Sequence, residues 1–292
     1  MTERMVITGA GGQVGRFLAA QAARQGYDVC ALTHQDLDIT DPGAVGRWVR
    51  RGDLVVNCAA FTAVDAAEAE ADAAHAINAV GPGNIARACA SAQARLVHIS
   101  TDYVFSGTGR RPYDTTDPTG PLSVYGKTKL DGELAVHAAL PDAHVVRTSW
   151  VYTGGSGTDF VAAMRRLAAT DRVIDVVDDQ TGSPTYVADL VTALLQVAAG
   201  GIGAAVLHAA NAGETSRFDQ ARAVFADLGA DPERVRPVGT AAVPRPAPRP
   251  VYSALSMDSS ARAGLTPLRP WREALAEAVA VPPGDGPIPS TP

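Results

Sequence analysis

Short runs that are apolar at nearly every position recur along the N-terminal half of the chain. Met5–Thr8, Tyr27–Leu32, Leu54–Ala59, Arg95–Ser100 and His144–Arg147 predict five strands. A strand without polar alternation is covered on both faces, which is the habit of a parallel sheet. Between these runs the spacing is helical. Phe17, Leu18 and Ala22 mark one helix, closed by Gly26; Ala66 to Ala92 reads as an alanine-rich helix; a third carries Tyr125. Strands alternating with helices predict an α/β fold, a Rossmann-type doubly wound parallel sheet.

Beyond residue 150 the pattern loosens. Helices are predicted at Phe160–Ala169, Val187–Ala199 and Trp271–Val281, and strands at Arg172–Val177 and Ala205–Ala209. Pro244–Pro250 is a stiff proline-rich connector. We expect a dinucleotide-binding domain of residues 1–149 plus about 172–210. A smaller C-terminal substrate-binding lobe is expected from about 150–171 plus 211–281, and the Pro/Gly-rich stretch 282–292 as a flexible tail.

Composition narrows the function. At 292 residues, 46% hydrophobic and 19% charged, the chain suits a soluble globular protein. A net charge of −6 without a basic run argues against a nucleic-acid partner. No charge-free apolar stretch reaches the ~18 residues of a membrane span, and no signal-peptide pattern opens the chain, so a cytoplasmic location is expected. Cys30, Cys58 and Cys89 are odd in number and form no C-x-x-C, which reads as free thiols. The six histidines form no ligand pattern, so no metal is expected.

Gly9, Gly12 and Gly15 form G-x-x-G-x-x-G between the first strand and its helix, with Gln13 and Val14 at the helix start. Glycines there let backbone amides approach a pyrophosphate, and the helix N-terminus adds partial positive charge. The second strand ends in Leu32-Thr33-His34 without an acid to bind a ribose 2′-hydroxyl. NADPH is therefore favoured, with NADH still possible. Asp38 and Ile39 follow and could hold the adenine, although Asp38 is also a natural turn residue.

Only two of the 25 cationic side chains are lysines, Lys127 and Lys129. Lys129 lies four residues after Tyr125, on one helix face. An ammonium beside a phenol lowers the phenol's pKa, and a planar guanidinium does not replace it freely. Lys127 lies off that face and reads as a solvated neighbour.

These two motifs resemble an extended short-chain dehydrogenase/reductase. Asn57–Asp65, Ser100–Phe105, Pro121–Lys129, Arg147–Trp150, Asp179–Thr185, Arg249–Ser253 and Trp271–Leu275 are more specific, and together they resemble the dTDP-4-dehydrorhamnose reductase family. The resemblance implies NADPH-dependent reduction of the C4 carbonyl of a dTDP-linked 4-keto-6-deoxy sugar by a monomer or homodimer. It implies Thr101, Tyr125 and Lys129 as catalytic residues. Cys58, Ala59, Ala60, Thr62, Tyr125 and Lys129 are implied at the cofactor, and Thr62, Val64, Thr101, Asp102, Tyr103 and Trp150 in the substrate pocket. Ser123 stands where the family often has asparagine. Arg16 stands where some members carry a glutamate of a magnesium-bridged dimer. The chemistry asks Tyr125 to protonate the developing alkoxide, with Thr101 holding the oxygen in line. A phenol of pKa about 10 needs a shift of roughly three units for useful exchange near neutrality. A related 4,6-dehydratase would have Thr-Asp-Glu, whereas the triplet here is Thr101-Asp102-Tyr103. A 4-epimerase and a non-catalytic cofactor-binding subunit are the other readings.

Overall fold

A computed structural model describes residues 3–155 and 157–281. The expected tail 282–292 lies outside the described residues. The chain opens with β1 (Arg4–Thr8), α1 (Gln13–Arg24), β2 (Asp28–Leu32), α2 (Pro42–Trp48) and β3 (Leu54–Asn57). Next come α3 (Val64–Ala69), α4 (Ala71–His75), α5 (Gly81–Ala92), β4 (Arg95–Thr101), α6 (Val124–Ala139) and β5 (His144–Thr148). The C-terminal half holds β6 (Val151–Tyr152), α7 (Phe160–Ala168), β7 (Ile174–Val177), β8 (Thr181–Gly182), β9 (Thr185–Tyr186), α8 (Val187–Ala199) and β10 (Val206–His208). It ends with β11 (Asn211–Ala212), β12 (Thr215–Ser216), α9 (Arg217–Asp227), β13 (Val235–Val238), α10 (Asp258–Arg262), β14 (Leu268–Pro270) and α11 (Trp271–Ala280).

Six strands form one sheet in the order β10-β5-β4-β3-β1-β2, parallel at every pairing. The continuous apolar runs have the predicted cause. Met5, Ile7, Val56, Val97 and Val146 face one buried layer, in which α1 packs on α8. Val6, Val55, Leu96 and Val145 face the other, in which α5 packs on α6. The chain leaves β1 for β2 on one side and returns to β3 on the other, so a crevice opens at the carboxyl ends of β1 and β3, where such sheets bind ligands.

Two expectations change. Residues 66–92 are not one helix. Glu70 leaves helical geometry at φ −118°, ψ 43°, and Ala76–Val80 forms a π-turn before α5. The π-turn directs the Asn78 amide to both backbone groups of Phe61, at 2.8 and 3.1 Å, and to Thr128 Oγ1 at 3.1 Å. The second break has a sequence signal in Gly81-Pro82-Gly83, since Pro82 has no N–H for the Asn78 carbonyl, and the Asn78 side-chain bonds hold the turn there. The second change concerns residues 172–210. The strand β7 pairs with β13 and β8 with β12, outside the main sheet, whereas β10 joins it. Only the later part of that segment stands with the nucleotide-type sheet.

Candidate functional site

The crevice at the sheet's switch point has the form of a dinucleotide cradle. Gly9 has φ +67°, and a Cβ there would stand 2.5 Å from Ala59 N, so only glycine lets the loop after β1 lie against the Cys58–Ala59 turn. Gly12 is the N-cap of α1 and offers no side-chain cap, which leaves the first helical amides open toward an anion. Asn57 ties the strand ends together: its Oδ1 accepts from Thr8 Oγ1 at 2.6 Å and from Ala59 N at 3.1 Å, and its Nδ2 lies 3.0 Å from His98 Nδ1. Open amides beside a glycine-only turn fit a pyrophosphate.

Gln13 and Val14 are half-buried at the start of α1, and the Gln13 amide donates to Asp159 Oδ2 at 3.2 Å. Thr33 and His34 stand at the end of the edge strand β2, with His34 exposed. An acid is nearer than the sequence suggested: Asp36 accepts from Thr33 N and Oγ1 at 2.9 and 2.7 Å, and these bonds lower its pKa. Asp38 caps a turn, accepting from Thr40 N and Oγ1 at 2.8 and 2.7 Å, while Ile39 is buried. Cys58, Ala59 and Ala60 line the β3 side of the crevice, and desolvation pushes the half-buried Cys58 thiol up to about 12 despite the nearby Lys129 charge.

Thr101, Tyr125 and Lys129 converge at the carboxyl edge of β4. Ser123 caps α6 through Oγ, which accepts from Gly126 N at 3.1 Å, so serine performs the N-cap task at this position. Glu68 accepts from Val124 N at 2.9 Å and fixes the same end. One turn later Tyr125 is half-buried with its phenol at the Thr101 hydroxyl. Thr101 Oγ1 also donates to Asp102 Oδ1 at 2.9 Å and accepts from Tyr103 N at 3.2 Å. It is therefore both a strand-end cap and a phenol contact.

Lys129 lies one turn on from Tyr125 along α6. Its side chain is 2% exposed, and Nζ donates to Ile99 O at 2.6 Å. Burial raises the Tyr125 pKa, and the Thr101 hydrogen bond is the contact that opposes it. Burial also lowers Lys129 to about 8, against the opposing pull of Glu133 and Cys58. Lys127 is exposed.

The far wall of the cleft comes from the C-terminal half. Trp150 has φ +47°, and its ring fills the space a Cβ at Gly182 would take, 2.5 Å from Cε2. The Arg217 guanidinium stacks over that ring at 3.5 Å and over Phe160 at 4.8 Å. Asp102 is 2% exposed; burial raises its pKa, while hydroxyls including Thr101 and Ser149 and the charge of Arg217 pull it down. The Tyr103 ring meets Tyr125 edge-on at 5.8 Å and 75°. Burial and Asp102 raise the Tyr103 phenol, against Arg217 and Arg249. Val64 opens α3, which packs on α6, and Thr62 just before it is exposed. Asp65 of α3 accepts from Arg249 at 3.0 Å and Ala247 N at 3.2 Å, tying the proline-rich connector to the cofactor side. Phe105 belongs to the core, stacked on Tyr113 at 4.3 Å.

Sequence reasoning missed Glu133, Arg147 and Arg217. One signal was available: Glu133 repeats the spacing of four set by Tyr125 and Lys129. Arg217 gave none, because only the tertiary fold carries α9 to Trp150.

Known proteins match this arrangement over its whole length. The family described as RmlD substrate binding domain matches residues 3–281. The chain belongs to the dTDP-4-dehydrorhamnose reductase family. A dTDP-4-dehydrorhamnose reductase of Mycolicibacterium smegmatis is 64% identical over 100% of this chain and 90% of its own length. One of Mycobacterium tuberculosis is 62% identical over 96% and 94%. The crystal structure of dTDP-4-dehydrorhamnose reductase from Bacillus anthracis, in complex with NADP, is 38% identical, with a TM-score of 0.90 over 95% of this chain and 98% of that one. Family membership accounts for a glycine cradle and a Thr-Tyr-Lys edge occurring together in one crevice.

Proposed function

We propose that this family member is an NADPH-dependent reductase of the C4 carbonyl of dTDP-4-keto-6-deoxyhexoses, with dTDP-4-dehydrorhamnose as the principal substrate. The observation that carries the reading is the packing of α6, with Tyr125 and Lys129 on one face, against the carboxyl end of β4 at Thr101. A carbonyl oxygen placed there meets the phenol as proton donor, and the Thr101 hydroxyl donates to it by turning its one proton away from Asp102. NADPH supplies the hydride when bound. The amides at Gly12 and α1, with Thr33, His34, Cys58, Ala59 and Ala60, are the groups that would hold it, and Asp38 and Ile39 border the adenine end.

Tyr125 gives its proton to the forming alkoxide. Thr101 orients that oxygen by exchanging its hydroxyl bond to Asp102 for one to the substrate. Lys129 supplies positive charge close to the site and shares its region with Cys58. The sugar lies between Tyr125 and Trp150, near Thr62, Val64, Asp102 and Tyr103. The second lobe, entered at Trp150, recognises the nucleotide, since the first is taken by the dinucleotide. We read the enzyme as a cytoplasmic monomer or homodimer, in keeping with its three free cysteines.

The test is NADPH absorbance decay with dTDP-4-dehydrorhamnose and product analysis over a panel of dTDP-4-keto sugars. One NADPH should disappear for each sugar reduced. Sugar conversion without net loss of NADPH would replace this reading with that of an epimerase or dehydratase.

A further inference from the structure

Three successive residues of β4 engage three side chains spaced by four on α6. Ile99 O accepts from Lys129, the Ser100 hydroxyl donates to Glu133, and the Thr101 hydroxyl meets Tyr125. Two of those α6 residues belong to the proposed reaction, and the third, Glu133, has no role in it so far. Glu133 is 3% exposed. Its Oε1 accepts from Ser100 Oγ at 2.5 Å and Arg147 Nε at 2.9 Å, and its Oε2 from the second Arg147 nitrogen at 2.7 Å. Ser100 and Arg147 are themselves register partners across β4 and β5. Arg147 is held from the other side by the Phe105 ring at 5.0 Å. The carboxylate thus joins one helix to two strands with both oxygens occupied.

We propose that Glu133 is a positioning residue. It ties β4, at the residue before Thr101, to α6 and sets a buried negative charge one turn from Lys129. This rests on the reductase reading for the role of Lys129, but not for its electrostatics. A structural ion pair alone would need only Arg147. The Ser100 bond and the placement beside Lys129 direct the carboxylate at the catalytic edge as well. The charged and titratable groups around Lys129 are Tyr125 and Glu133 on its own helix, Cys58 after β3, His98 on β4 and, through Glu133, Arg147 on β5. Among those acting on Lys129, the Glu133 charge is the largest that favours its protonated form.

The two lysines make this directly measurable. In protein labelled with ¹³C at lysine Cε, two lysine signals are expected, and the exposed Lys127 serves as the reference. Glu133→Gln should move the Lys129 titration midpoint down by at least about half a unit. The alkaline limb of kcat/KM should move the same way. Glu133→Gln leaves Arg147 buried without its partner and could fail to fold, so Glu133→Gln/Arg147→Met removes the pair together and should show a displacement in the same direction, made smaller by the loss of the Arg147 charge. A merely structural role would change yield or melting and leave the midpoint in place. Ser100→Ala removes the hydroxyl bond to Glu133 while keeping the charge; kcat should fall at least about fivefold, with the lysine midpoint unmoved. A stationary midpoint in the double variant, or full kcat in Ser100→Ala, overturns the proposal. The titration reads out whether or not the substrate assignment holds, and inactivity of the unaltered enzyme toward dTDP-4-keto sugars would count against that assignment alone.

Discussion

The Arg217 guanidinium lies 3.5 Å from the centre of the Trp150 ring, so the aromatic wall of the cleft carries a cation on its face. Trp150 adopts φ +47°, which a tryptophan rarely takes without support. Its support is Gly182 on one side and Arg217 on the other. Burial lowers Arg217 to about 10, opposed by Tyr103 and Asp102, so it stays charged at neutral pH beside the pocket.

Replacing Arg217 by methionine should therefore weaken the sugar nucleotide rather than the cofactor. The variant keeps a long side chain but loses the charge and the stacking, which together are worth about 1.4 kcal/mol, or tenfold. We expect KM for the dTDP-sugar to rise about tenfold while NADPH affinity, read by fluorescence, stays within about twofold. An unchanged sugar KM would reduce Arg217 to a plug behind Trp150.

Tyr125→Phe should nearly abolish turnover with cofactor affinity kept within a few-fold. The ring's packing against Tyr103 is preserved, and only the proton donor is lost. Retention of more than about a tenth of the rate, a loss of under ~1.4 kcal/mol, would remove Tyr125 as the donor.

Thr101 separates its two tasks by substitution. Thr101→Ser keeps the hydroxyl for Asp102, for Tyr103 N and for the phenol, whereas Thr101→Val keeps the shape and loses all three. We expect Thr101→Val to lower kcat about a hundredfold and Thr101→Ser less than tenfold. Equal losses in steady-state assays would mean that the side chain's volume matters here and its hydroxyl does not.

The sheet and the glycine turn after β1 were legible because their signals are local. Runs such as Leu54–Asn57 are apolar at each position, since both faces of the sheet are covered. The α2 helix was overlooked although Asp41 and Pro42 mark an N-cap and first turn, with Asp41 accepting from Gly43 and Ala44. The partner of β7 was not legible: β13 contains Pro237 and lies some sixty residues on, at a separation of 61 residues for the Asp175–Arg236 pair. The surroundings of Lys129 were legible only in part. Spacing placed it near Tyr125, but burial and the Ile99 carbonyl decide where its charge sits, and neither has a sequence signature.

Lys129 should also cost the protein stability. Its pKa falls from the ordinary 10.5 to about 8 on folding. Between those values the unfolded chain holds the proton and the folded protein does not, so this group's contribution to stability rises with pH across that window. Below about pH 8 both states are protonated, and the full penalty, on the order of 3 kcal/mol, applies. Lys129→Met removes the buried charge but forfeits the hydrogen bond to Ile99 O, worth about 1 kcal/mol. The net expectation is an inactive enzyme that is more stable by about 1–2 kcal/mol at neutral pH, melting a few degrees higher. That advantage should shrink as pH approaches 10, because the wild-type lysine is then neutral in the folded state. Lys129→Arg gains nothing of the kind: it keeps the charge on a larger group in the same closed space and should be both inactive and less stable. Thermal unfolding at two pH values decides the matter. A Lys129→Met protein that melts below wild type at neutral pH would show that the ammonium's contacts with Ile99 and Glu133 outweigh the cost of burying it.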